Sequence, residues 1–376
     1  MPKGGDSRAR RLILMLLALF FGLGLATGLG AQEAGWKEKW DKAVAGAKKE
    51  GRLVLFAPAG QLLRDSIIQG FKKAYPDINL EYHGGRDGEL TTKILAERTA
   101  GIYTVDVLMT GSLVAHAHLR PNKALDPIEP ALILPEVTNV KNWRDQQLHF
   151  SDKEGKYNLV YAGYTRPLLA LNPKVKQEEV DEYQKLLDPK WKGRINISDP
   201  VVPGGGYAFF HWLWTVLGSE KTADYARRLR AQAGLVDRNN RRQLEWVAQG
   251  RYDIVVAPGT SQLHQLLNAG LQIGVLAEFK GLPKWLSSGA GSVMLMNKSP
   301  RPNAASVFIN WMLSREGQTA WSRANDLPSR RIDVPTDHIP AYMIPKPGVK
   351  YWQDYLEGNN VRSEEEEKLI KEVFGQ

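Results

Sequence analysis

Cysteine is absent from all 376 residues, which excludes disulfide staples, thiolate catalysis and cysteine-ligated zinc or iron–sulfur centres. Recognisable catalytic signatures are missing as well. There is no G-x-S-x-G nucleophile elbow, H-E-x-x-H zinc motif, phosphate-binding Walker loop or dinucleotide fingerprint. The seven histidines form no ligand set. His116 and His118 stand two apart, and a helix would point them in different directions. Asp253, Ser261 and His264 lie near one another, but nothing nearby supplies an oxyanion hole or an oriented base. A secreted hydrolase built on Ser261 and His264 is therefore a competing reading that would have to be shown by turnover. Internal repeats and low-complexity stretches are also lacking. The basic residues are scattered and follow no DNA- or RNA-binding motif, so nucleic acid is not an expected partner.

What remains is the composition of a folded, water-soluble protein, with 43% hydrophobic and 24% charged residues. The length suits two domains of ordinary size. Lys3, Arg8, Arg10 and Arg11 precede an apolar run over Leu12–Leu25, and small residues follow through Ala31. This is the layout of a secretory signal peptide over residues 1–31, with cleavage before Ala31 or before Gln32. If it were left uncut, the same run would serve as a membrane anchor. Removing it takes away four basic residues and Asp6, and the formal charge falls from +9 to +6. A moderate positive charge favours an anionic ligand or an acidic partner surface.

Along the mature chain, short apolar runs alternate with amphipathic stretches. The spacing predicts a helix over Trp36–Glu50, a strand over Leu53–Phe56, a helix over Gln61–Tyr75 and strands at Ile78–Tyr82 and Val105–Met109, with a helix at Thr91–Arg98 between the last two. This alternation indicates parallel βαβ units in an α/β fold, whose ligands sit beyond the carboxyl ends of the strands. Gly60, Arg86, Gly111 and Ser112 fall in those loops. Further on, LLDPKWKGRINISDPVVPGGGYAFFHWLW places a Gly-rich turn between a strand and an apolar helix. Such a turn leaves backbone N–H groups at Gly205, Gly206 and Tyr207 free for an anion, at the positive end of the helix dipole. Its other reading is a tight connection without a ligand. Ser363, three residues before Glu366, marks a capping box opening a C-terminal helix.

These segments, together with LVLFAPAG, INLEYHGG, YAGYTRPLLALN and SPRPNAASVFINWMLSREGQTAW, resemble the type 2 periplasmic solute-binding proteins of ABC importers, in the branch containing the iron(III)-binding proteins. The likeness runs from about Trp36 to Arg323. It implies an α/β, two-lobed fold with two interlobe crossovers. The expected divisions are lobe 1 over 36–118, lobe 2 with the hinge strands over 119–287, a return to lobe 1 over 288–345, and an extension over 346–376. The resemblance also implies a periplasmic, monomeric protein that holds a small molecule between its lobes and passes it to an inner-membrane permease, without a cofactor. A sensor-partner protein of the same fold is the alternative that would signal rather than import.

By the same likeness, Arg166 falls where many members place a ligand-facing or hinge arginine, and Asn240 matches an asparagine that contacts the bound anion in iron-binding relatives. Those relatives bind ferric iron through two adjacent tyrosines. Here Thr260 and Ser261 stand in their place, and neutral hydroxyls cannot replace phenolates for a trivalent ion. An iron site is therefore not expected, although a ferric-binding protein of this fold is the second reading. The expected ligand groups are the hydroxyls of Ser112, Thr260 and Ser261, the amides of Asn239 and Asn240, and the guanidinium groups of Arg86, Arg166 and Arg238. Tyr164 and Tyr207 would close over an apolar part.

Overall fold

The structure, a computed structural model, describes residues 35–359 and 361–375. The expected signal peptide lies outside the described residues. Three sheets organise the chain. The first contains β1 (Arg52–Pro58), β2 (Asn79–Gly85), β3 (Val107–Thr110), β4 (Leu125–Asp126), β5 (His149–Phe150), β6 (Leu159–Val160) and β14 (Ser292–Met296), in the order β2-β1-β3-β14-β6-β5, with β4 beside β14. The second contains β8 (Leu169–Leu171), β9 (Ile195–Ser198), β10 (Leu235–Asp237), β11 (Ile254–Val256) and β12 (Gly274–Leu276), in the order β10-β9-β11-β8-β12. Between them, β7 (Tyr164–Thr165), β13 (Lys284–Ser287) and β15 (Tyr351–Gln353) form a small sheet in the order β15-β13-β7.

Each large sheet is the centre of one lobe. In lobe 1, Leu63, Ile67 and Phe71 recur on one stripe of the Gln61–Ala74 helix and are buried against the sheet. Buried Asp106 ties this lobe together. It accepts the backbone N–H of Val54 at 2.8 Å and the Arg301 Nε–H at 2.7 Å, linking the start of β3 to β1 and to the return segment. In lobe 2, Phe209, Phe210 and Leu213 of the Gly205–Leu217 helix pack with Ile195 and Ile197 of β9.

Two expectations about boundaries are corrected. Residues 119–160 were expected in lobe 2, but β4 and β6 pair with β14, and Ile128, Val137 and Trp143 lie in the lobe 1 core. The first crossover therefore comes at β7, and the second at β13. The strands of this stretch are two residues long, too short to carry a visible period. The Thr91–Arg98 helix begins earlier, at Asp87, because Asp87 and Glu89 fill a first turn whose dipole favours them. The loop after β2 shrinks to Arg86.

The Gly-rich turn has a packing reason of its own. A Cβ on Gly206 would fall 1.9 Å from the Ser198 carbonyl oxygen, and one on Gly205 would fall 2.3 Å from that of Ala257. Both contacts are backbone, so no side chain can yield. Gly206→Ala is expected to cost about 3 kcal/mol in urea unfolding.

Candidate ligand cleft

A cavity of about 530 Å³ opens between the lobes beside the crossover strands. Lobe 1 supplies Gly111, Ser112 and Leu113, while lobe 2 supplies Val201, Pro203, Gly204, Tyr207 and Ala208. Arg166, just after β7, and Trp285, in β13, form its floor.

Arg166 is the site's cationic centre. Its guanidinium lies 4.8 Å over the Trp285 ring and 4.0 Å from the Asp354 carboxylate, and it makes no hydrogen bond among the described residues. Its planar fork of N–H donors is thus held in place yet uncommitted. Asp354 accepts the Trp285 indole N–H at 3.0 Å. Burial pushes the Asp354 carboxyl above its ordinary range, and nearby Arg166 and the hydroxyl of Ser287 oppose that shift. Across the cleft, Ser112 is buried and accepts from the Asn158 amide at 3.0 Å, which leaves its own hydrogen for the cavity.

The Gly205–Leu217 helix begins at this wall. Its first intrahelical bond runs from the Ala208 N–H to the Gly204 carbonyl, so the N–H groups before Ala208 have no acceptor within the helix. Arg362 lies beside it, paired with the buried Glu366 carboxylate at 2.9 Å. Its guanidinium stacks 3.7 Å from the Tyr207 ring centre and donates to the carbonyls of Tyr207 at 2.6 Å and Pro200 at 2.9 Å. The helix end and Arg166 make this side of the cleft favourable for negative charge.

Of the residues singled out from the sequence, Gly111, Ser112, Arg166 and Tyr207 line this cavity. Tyr164 lies behind Gly289, where a Cβ would meet its hydroxyl at 3.0 Å, and Gly205 and Gly206 press their Cα atoms against the sheet ends. The others sit elsewhere. Gly60 and Arg86 occupy the N-cap positions of lobe 1 helices. Arg238 is exposed and paired with Asp199 at 2.7 Å. Asn239 caps its helix, accepting from the Arg242 N–H at 3.0 Å. Asn240 lies 3.5 Å from Ser198 Oγ. Thr260 opens the helix after β11, with its hydroxyl oxygen buried and without a partner among the described residues, and Ser261 is exposed. The residues of the hydrolase reading are engaged apart. Asp253 pairs with Arg194 at 2.6 Å and Lys174 at 2.9 Å, while His264 reaches Asp326 at 3.0 Å.

Sequence reasoning missed Trp285 and the contribution of the C-terminal segment, which includes Trp352, Asp354, Tyr355, Asn359, Arg362 and Glu367. Besides the capping box at Ser363, the density of aromatic residues in YWQDY was the local signal that this segment packs rather than trails.

A family described as bacterial extracellular solute-binding protein matches residues 66–339. An uncharacterized protein of Haemophilus influenzae is 25% identical over 296 residues, covering 76% of this chain and 80% of its own length. Among solved structures, the periplasmic binding protein AfuA of Actinobacillus pleuropneumoniae, with fructose-6-phosphate bound, superposes with a TM-score of 0.60 at 18% identity, covering 86% of this chain and 98% of its own. Iron-bound HitA of Pseudomonas aeruginosa gives 0.59 at 21% identity, over 86% and 99%. Ferric iron-binding protein A of Mannheimia haemolytica, in an open conformation, gives 0.65 at 15%, over 87% and 99%.

Proposed function

Since this chain belongs to the bacterial extracellular solute-binding protein family, serving an ABC importer, we propose that it works in the periplasm and that its cargo is a small organic or phosphorylated anion held between the lobes. Arg166 carries this reading. An arginine that faces a cavity shared by both lobes, and spends none of its N–H donors on the described residues, is prepared for a carboxylate or phosphoryl group. Ser112 and the start of the Gly205–Leu217 helix would meet the same group from opposite lobes. Contacts from both sides favour the closed arrangement, and closure gives the permease a surface that the empty protein lacks. The protein would act as a monomer.

Ferric iron is the second reading, favoured by the similar structures of iron-bound HitA and of ferric iron-binding protein A. Thr260 and Ser261 weigh against it. They begin the helix after β11 with neutral hydroxyls, which cannot replace phenolates for a trivalent ion. Native mass spectrometry of protein purified from cells, followed by a thermal-shift screen, tests the two readings. A carboxylate or phosphonate should raise Tm, with about 2.7 kcal/mol of stabilisation at a hundredfold excess over Kd. A shift confined to ferric iron, with none from the anions or from polyamines, would overturn the anion reading.

A further inference from the structure

The match to the family ends at Ile339, yet one wall of the cleft is built from residues beyond it. We propose that the segment from Tyr351 to Phe374 is a specificity element of the site, selecting an anion joined to an apolar, preferably aromatic, body. The inference rests on the cleft being the ligand site.

This segment is fastened to all three parts of the molecule. β15 runs parallel to β13, with Trp352 opposite Trp285, and the Asp354 N–H continues the pairing to the Leu286 carbonyl at 3.1 Å. Glu357 then fixes the chain to lobe 1. Its N–H donates to the Ser151 carbonyl at 2.8 Å, and its carboxylate accepts from the Lys153 N–H and from Arg120, each at 2.9 Å. On the lobe 2 side, the Glu364–Phe374 helix is keyed in by Glu366. That carboxylate is fully buried, 2.8 Å from His211 Nδ1 and 2.9 Å from Arg362 Nε. Phe374 packs on Phe210 with ring centres 4.9 Å apart. So many fixed contacts hold Trp352, Asp354, Tyr355 and Arg362 in place along the cleft.

The surface they complete does not suit a bare inorganic ion. The cationic features gather around Arg166 and the helix start, whereas Trp285, Trp352, Tyr355, Val201 and Leu113 present apolar faces to the same space. Leu113 is 43% exposed on the lobe 1 wall, an apolar side chain that a ligand body would cover. A volume of about 530 Å³ falls within the range of pockets that enclose whole organic ligands. A small ion at Arg166 would leave most of this apolar wall wet, while an attached ring would dry it. Arg166 sits 4.8 Å over the Trp285 ring with the Asp354 carboxylate 4.0 Å away, so an anion paired with it would lie at the floor with its substituent along the aromatic wall.

Matched probes test this on the full mature chain stripped of bound ligand: phenyl phosphate against inorganic phosphate, and phenylacetate against acetate, by isothermal titration calorimetry. The ring-bearing member of each pair should bind at least about tenfold more tightly. Trp352→Ala and, independently, Leu113→Asn should bring that ratio toward one. Using both variants guards against a Trp352 change that loosens the crossover sheet. Equal affinity within each pair, or an unchanged ratio in both variants, would overturn the inference while leaving an anion cleft intact. If no probe binds at millimolar concentration, the cleft reading fails with it.

Discussion

Replacing Arg166 with alanine is expected to weaken anion binding about 10- to 100-fold while moving Tm little. A charge-assisted hydrogen bond in a desolvated site contributes about 1.5–3 kcal/mol, and each 1.4 kcal/mol is tenfold in affinity. The effect on stability should be smaller because Arg166 makes no hydrogen bond among the described residues, and its Asp354 neighbour is 4.0 Å away. Asp354 keeps its bond from the Trp285 indole in the variant, and protonation can relieve its remaining charge because burial already raises its pKa. Arg166→Lys separates charge from shape: a lysine restores the positive charge but not the planar fork, so it should recover only part of the affinity. Titration calorimetry beside thermal melts reads both quantities. Unchanged affinity with a lowered Tm would make Arg166 a partner of Asp354 and nothing more.

Arg362→Ala should also produce a large loss of stability, about 3 kcal/mol in urea unfolding followed by tryptophan emission. Glu366 is fully buried beside Arg362, and removing one partner of a buried pair leaves the other charge in a place that water cannot reach. The same change deletes two hydrogen bonds to the carbonyls of Pro200 and Tyr207 and uncovers the Tyr207 ring. Replacing both partners, Arg362→Met with Glu366→Leu, should recover much of the loss, since apolar pairs of similar size often match or exceed a buried ion pair. A single-variant cost under about 1 kcal/mol would mean that this pair does not fasten the C-terminal helix.

The two variants bear on different stages of the same design. Arg166 acts on the ligand directly. Arg362 acts at one remove, by holding the segment that carries Trp352, Asp354 and Tyr355 along the cleft. A melted C-terminal helix would leave the lobes folded around their own cores but with one wall of the binding space missing.

The sequence by itself determined the alternation of strand and helix, because a period of two or of 3.6 is written in neighbouring residues. It also determined the cap at Ser363, which accepts the Glu366 N–H at 3.2 Å. The Gly-rich turn was legible for the same reason, though its glycines prove to be required by backbone contact with β9 and the loop after β11. What lay outside that reach depended on residues far apart in the chain. The acidic run at Glu364–Glu367 reads as a helix start favoured by the dipole, and only the packing turns Glu366 inward to His211 and Arg362. Asn239 carries the chemistry of a ligand contact and of a helix cap equally well; the backbone decides for the cap. The meeting of Arg166 with Trp285 and Asp354 was beyond any local signal. It exists because β13 brings a strand from the end of the chain alongside itself, and such pairing leaves no pattern in either segment alone.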